Sequence, residues 1–132
     1  MPDAVRRECS KTIKVGLQMG NTITLDKEQL REVAMDDRDL MRELVAAVAE
    51  DTARQVELLK VAVQHSDAEE CKRLAHYSKG ACSNVGAASA TELLKAIERN
   101  AAMRDFGECG IALARLSREV GLLRAEAAAM KG

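Results

Sequence analysis

Residues 37–65, DRDLMRELVAAVAEDTARQVELLKVAVQH, decide the fold: Leu40, Leu44, Val48, Thr52, Val56, Leu59 and Val63 recur every three or four positions. That spacing lays one apolar stripe along a helix roughly 42 Å long, and a stripe of that length must be covered by other helices. Working outward, residues 27–35 form a short helix carrying Leu30, Val33 and Ala34 before the Asp36-Asp37 break. Ser66 with Glu69 reads as a capping box, opening a helix near Asp67 that ends at Gly86. Ser89 with Glu92 repeats the signature for a helix to about Met103, with Leu94, Ile97 and Ala101 inward. Gly107 and Gly110 flank a loop, and a last helix over 109–130 carries Leu113, Leu116, Val120 and Leu123. The expected fold is all-α: an antiparallel four-helix up-down bundle over residues 26–132, with the short first helix as an N-terminal cap.

Residues 1–25 differ. Ile13, Val15, Leu17 and Met19 alternate with other residues, and Gly20-Asn21 precedes Thr22 to Leu25, so this arm is either a small hairpin or irregular chain. No proline follows Pro2 and 22 alanines favour helix, which excludes an all-β fold. At 132 residues with 47% apolar side chains, the chain is one module that can bury a core without staples.

The net charge of −1 and the lone aromatics Tyr77 and Phe106 provide neither a phosphate-neutralising face nor stacking platforms, so no nucleic acid is expected as a partner. No apolar run approaches a bilayer span, and the charged opening residues lack a signal peptide's apolar middle; no membrane association and a cytoplasmic location follow. Cys9, Cys71, Cys82 and Cys109 show no metal-ligand spacing and read as reduced thiols, and Cys71 and His76 stand roughly 140° apart on a helix. No metal site is expected.

Along 67–86, Cys71, Leu74, Ser78, Ala81 and Val85 fall within an arc of roughly 80°, the core face. His76 lies about 180° from its centre, flanked by Lys72, Arg73, Lys79, Gly80 and Ser83. By itself His76 is an ordinary surface histidine, and the lysines a solvated face. Gly80 argues for more: one turn beyond His76 inside a helix, glycine costs about 1 kcal/mol relative to alanine, so something must approach closely there. Lys72 and Lys79 add positive charge that suits a phosphoryl group. His65 closes the preceding helix and reads as a helix-terminus residue.

The run Ala75-His76-Tyr77-Ser78-Lys79-Gly80-Ala81-Cys82-Ser83-Asn84-Val85-Gly86-Ala87 resembles the signature of histidine-containing phosphotransfer (HPt) domains: His, Lys three residues on, Gly four on, and a small-residue run closing in Asn-Leu-Gly-Ala, with Val85 in place of the leucine. Tyr77 and Ser78 replace the family's frequent threonine and leucine. The resemblance in helix pattern extends over about residues 27–125. It implies that His76 accepts a phosphoryl group from, and returns it to, aspartates of response-regulator receiver domains, within relays fed by a histidine kinase or hybrid kinase. Glu98, 22 residues after His76, stands where the family carries Gln or Glu against the imidazole. A carboxylate there would hold the Nδ1 proton and leave Nε2 free, although Glu98 could equally pair with a lysine.

By the same resemblance Lys79 and Lys72 help neutralise the transferring group, and Mg2+ belongs to the partner receiver, leaving this chain without a cofactor. Gly80, Ser83, Arg73 and Ala87 surround the docking site. No nucleotide-binding motif is present, so the chain is a phosphoryl carrier and not a kinase. A monomer is expected, and the start at Met1 fits a free-standing carrier. The competing reading is a helical scaffold or inhibitor that binds a receiver or kinase without taking phosphate.

Overall fold

The computed structural model describes residues 25–130, and they are all-helical, with five helices and no strand among them. The hairpin or irregular arm expected for residues 1–25 therefore lies, Leu25 excepted, outside the described residues. In chain order the helices are α1 (Lys27–Val33), α2 (Arg38–Gln64), α3 (Ala68–Asn84), α4 (Ala88–Ala102) and α5 (Phe106–Ala129). The four longer helices close a ring, in which α2 packs on α3 and α5, and α4 packs on α3 and α5, while α1 rests on α2 and α3.

Aspartates set most of the starts. Asp26, Asp37, Asp67 and Asp105 each accept the backbone N–H three residues on, satisfying a donor that the first turn leaves unpaired. This corrects one expected cap, although that helix does begin near Asp67 as expected, and one expected boundary. Ser66 is no cap: it turns the chain at φ 53°, and the next residue, Asp67, takes the N-cap position. Gly107 and Gly110 are not loop residues either, because Asp105 starts α5 at Phe106 and the turn before it needs only Met103 to Asp105, with Arg104 at φ 58°. A side-chain cap outweighs the propensity cost of glycine so near a helix end.

The Ser89/Glu92 box is also absent. Helix α4 begins at Ala88 after an Ala87 that has no side-chain cap, and Thr91 donates its hydroxyl to the Ala87 carbonyl at 2.8 Å. The start is dictated by what precedes it. Gly86 has φ +78°, its carbonyl accepts from Asp26 N–H at 2.7 Å, and Leu25 forms an isolated antiparallel bridge with Ala87. Gln29 then donates its amide to the Ser83 carbonyl at 2.6 Å, so α1 closes the exposed end of α3. At Gly86 a Cβ would stand 2.6 Å from the Asp26 carbonyl oxygen. Gly86→Ala should destabilise the fold by about 2 kcal/mol or more, because a left-handed alanine alone costs roughly half of that and backbone must also move. Urea unfolding of the two proteins measures the difference.

The core centres on Leu30, Leu59, Leu94, Ile97, Leu116 and Leu123. On α2 the buried line is Val45, Ala49, Thr52, Val56, Leu59 and Ala62, with the expected Leu44, Val48 and Val63 flanking it half-buried. On α3 the buried face keeps Cys71, Leu74, Ser78 and Val85, but Ala75 and Cys82 are fully buried and Ala81 only half-buried. The rotation follows from packing against α2, where Thr52 Oγ1 and Cys82 Sγ meet at 3.6 Å. Ser78 Oγ is buried without a hydrogen-bond partner, a destabilising feature on the face opposite His76.

Candidate functional site

Rotation of α3 toward the core leaves its opposite face in water, and His76 stands there with 69% of its side chain exposed. Tyr77, also exposed, lies beside it on the same helix. The neighbouring helix α4 places Glu98 across from them, because Leu94, Ile97 and Ala101 turn that helix's apolar side inward and leave Glu98 at the boundary.

Glu98 holds two partners at once. Its Oε2 lies 3.1 Å from His76 Nδ1, and its Oε1 accepts from Lys79 Nζ at 2.8 Å. Sequence reading set the imidazole partner and the lysine partner as alternatives; the structure shows both. The Lys79 hydrogen bond, chiefly, holds the Glu98 carboxyl below the usual carboxylate range; burial opposes it, and the Lys79 charge and the His76 contact add smaller lowering effects. A carboxylate can only accept, so His76 Nδ1 carries the proton, and the lone pair of the neutral ring sits on Nε2, on the side away from Glu98.

The charge around His76 differs from the expectation. Lys79 is occupied by Glu98, Lys72 pairs with Glu69 at 3.0 Å, and Arg73 forms a two-point pair with Glu70. Each basic side chain thus has an acidic partner one turn or one helix away, so the face is balanced and not strongly positive. Ala87 is corrected as well: only 1% exposed and bridged to Leu25, it is part of the core and cannot touch a partner. Ser83 and Gly80 are exposed on the His76 side of α3, and a Cβ on Gly80 would meet nothing within 4 Å.

Gln29 and Tyr77 were not singled out as site neighbours from sequence. Only Tyr77 carried a signal, its place next to His76. Cys71, Cys82 and Cys109 are free and buried, and burial raises all three thiols, Cys71 to about 11, which keeps them protonated and unreactive. Cys82 faces Thr52 and not His76. Among the described residues no cluster of His, Cys, Asp and Glu could hold a metal ion, and no helix is long and apolar enough to cross a membrane.

The lowered Glu98 carboxyl has a consequence for stability. The folded state binds this proton less tightly than the unfolded chain, whose carboxyl titrates near 4.5, so the contribution is complete above that value and is lost as pH falls through the lower, folded one. Glu98→Gln should therefore flatten the acid limb of stability below about pH 4.5 while leaving the fold intact at pH 7. Thermal melts from pH 3 to 7 read this, and an unaltered acid limb in the variant would show that the pairing carries no weight.

A search of curated proteins finds no significant match. Among solved structures, histidine-containing phosphotransfer protein B from Pseudomonas aeruginosa PAO1 superposes with a TM-score of 0.73 at 24% identity, covering 80% of this chain and 92% of its own. A rice protein described as a histidine-containing phosphotransfer protein gives 0.73 at 18% identity, covering 92% of this chain and 89% of its own. These likenesses establish the fold. The sequence model of the Hpt domain matches residues 28–130, a span that holds His76, Lys79, Gly80 and Glu98 together, and the chain belongs to the Hpt domain family.

Proposed function

We propose that this chain is a phosphoryl carrier of a two-component relay, taking the group onto His76 from an aspartyl phosphate of one receiver domain and passing it to an aspartate of another. The observation that carries the reading is the exposed His76 ring with Nδ1 against the Glu98 carboxylate. Neutral imidazole attacks phosphorus through Nε2; the N–P bond forms as the P–O bond to the receiver's aspartate breaks, and that carboxylate leaves with the electron pair. The ring becomes positively charged while retaining its Nδ1 proton, and the Glu98 carboxylate stabilises that charge. The reverse transfer retraces the same path.

In this reading the ring of four helices is the up-down antiparallel bundle, with α1 as its cap, and serves to hold one nucleophile in place. The receiver brings Mg2+ to the phosphoryl group. Lys79 acts first through Glu98, which it keeps ionised, and is within one turn of the nucleophile to follow the incoming charge. The chain acts as a cytoplasmic monomer and meets receivers and a histidine kinase or hybrid kinase through a transient, modest interface. A scaffold without phosphate chemistry would have no use for an exposed nucleophile with a fixed tautomer.

The test is transfer from radiolabelled receiver domains, charged with acetyl phosphate, to the purified full chain. Acid-labile, base-stable label on the chain is expected from at least one receiver; a chain that binds receivers yet never acquires label is a scaffold.

A further inference from the structure

Helices α3 and α4 together carry five basic side chains, Lys72, Arg73, Lys79, Lys95 and Arg99. The first four are occupied: Lys72 by Glu69, Arg73 by Glu70, Lys79 by Glu98 and Lys95 by Glu92. Arg99 is exposed and has no acidic partner among the described residues. Its place is set by the same wheel that sets Glu98. With Leu94, Ile97 and Ala101 inward, Glu98 falls at the boundary with α3, and Arg99, about 100° further round, falls on the outer side of that boundary. Glu98 Oε2 lies 3.1 Å from His76 Nδ1, which brings these two helix positions level, and the Cα of Arg99 is about 3.8 Å from that of Glu98. The Nε2 edge of the ring is turned away from Glu98 into water. Packed helices stand about 8–10 Å apart, a gap that an extended arginine on one and a phosphorylated imidazole on the other close between them.

We propose that Arg99 binds the phosphoryl oxygens of phosphorylated His76. The proposal deepens the carrier reading above, on which it rests, by naming what holds the group once the ring has it. A phosphoryl group on Nε2 brings negative charge to a face whose other cations are already paired. Lys79 cannot turn to it without releasing Glu98, whose carboxylate also holds Nδ1, and Lys72 and Arg73 would each have to leave a glutamate one turn away. Arg99 breaks no pair. Its guanidinium is planar and always charged, and its parallel N–H donors match two phosphoryl oxygens through charge-assisted bonds. With Glu98 holding Nδ1 on one side and Arg99 holding the oxygens on the other, ring and group are fixed at both ends. Arg99 also lies in the last turn of α4, where a cation suits the negative end of the helix dipole; that role by itself predicts a change in stability and none at phosphorus.

The test uses the full chain with His65→Gln, which leaves His76 as the sole histidine. Phosphoramidate loads the ring, its phosphoryl group passing to Nε2 as ammonia leaves, and phosphorus NMR follows the product from pH 5.5 to 9. Arg99→Gln is expected to make the phosphoryl group bind its last proton about three- to tenfold more tightly, which moves the titration of the phosphorus signal to higher pH, and Arg99→Lys should restore part of the difference. Lys95→Gln, which removes the same charge one turn away on α4, should leave the titration where it is. In the parent, the Arg99 Nε proton signal should move on phosphorylation, while that of Arg73, bound to Glu70, stays. Equal displacements in the Arg99 and Lys95 variants would reduce the effect to the general field of the face and overturn the contact. A titration unaltered by Arg99→Gln overturns it too, and a lowered melting temperature beside it would leave Arg99 as a helix-end charge. The expected displacement on the phosphoramidate-loaded chain, with no label acquired from any charged receiver, keeps the contact and removes the carrier reading instead.

Discussion

His76→Gln is expected to eliminate acid-labile phosphate on the chain entirely while leaving its melting temperature within a degree or two of the parent. The two halves of this outcome have separate causes. Loss of the phosphate follows from chemistry: glutamine can accept a hydrogen bond from a receiver but its amide nitrogen has no lone pair available to attack phosphorus, and the hydroxyl of Ser83, exposed on this face, is a far weaker nucleophile than imidazole near pH 7. Tyr77 beside it is a weak nucleophile near pH 7, and the three described cysteines are buried, with their thiols held in the protonated form by desolvation. Stability is retained because the ring is largely in water and its contact with Glu98 is not needed to keep that carboxylate ionised, which Lys79 already does. Intact-mass spectrometry in neutral buffer and calorimetry read the two halves. Residual label on the variant would identify a different phosphoacceptor.

The second large effect is expected at Gly80. A Cβ there meets nothing within 4 Å, so the chain itself does not require glycine at this position. In a helix interior the change to glutamine should even stabilise by about 0.5–1 kcal/mol through propensity. Yet Gly80 is one turn from His76 on the same exposed face, where a long side chain would lift an incoming receiver off the ring. Phosphoryl transfer needs the aspartyl phosphate in line with Nε2, and misplacement by about 1 Å can reduce the rate on the order of 100-fold. Gly80→Gln should thus unfold at a higher urea concentration and transfer about 100-fold more slowly. Stopped-time transfer assays beside urea titrations separate the two, and Gly80→Ala, with a single methyl, should fall between. Unchanged transfer in the glutamine variant would mean that the receiver approaches from another side.

Periodicity carried the helices because each of their stripes is a local property, readable from spacing within one segment. Leu94, Ile97 and Ala101, all fully buried, are where the sequence places them, and so are Leu113, Leu116, Val120 and Leu123. Ends were harder to read. Ser66, Ser89 and the Gly107/Gly110 pair all look like helix boundaries in isolation, but the neighbouring aspartates at 67 and 105, and the tertiary bridge of Leu25 to Ala87, decide where the helices begin. The burial of Ala87 belongs to the same class of fact. Its small side chain next to a glycine reads as docking surface, and only the return of the chain at Leu25, 62 residues earlier, shows that it is covered.

The site was legible to a similar depth. Exposure of His76 follows from the wheel of its own helix, and so does the open space at Gly80. What the wheel cannot contain is the company each charge keeps. Lys72, Arg73 and Lys79 read as a basic face along α3, but Glu69 and Glu70 answer two of them within that helix, and Glu98 answers the third from α4. Glu98 in turn was legible as an imidazole partner or as a lysine partner, because a single helix position can be assigned to a face but not to a list of contacts. Its bidentate role, with one oxygen to each, needs both helices in place.

In the carrier reading, Glu98 holds Nδ1 and leaves Nε2 of His76 to take the phosphoryl group. Phosphorus–proton correlation spectroscopy on the chain, phosphorylated by a charged receiver and kept at alkaline pH, tests it directly. The expected spectrum couples one phosphorus to both carbon-bound protons of the His76 ring, the pattern of substitution at Nε2. A phosphorus coupled to only one ring proton, as substitution at Nδ1 requires, or a phosphorus attached to any other residue, would contradict it.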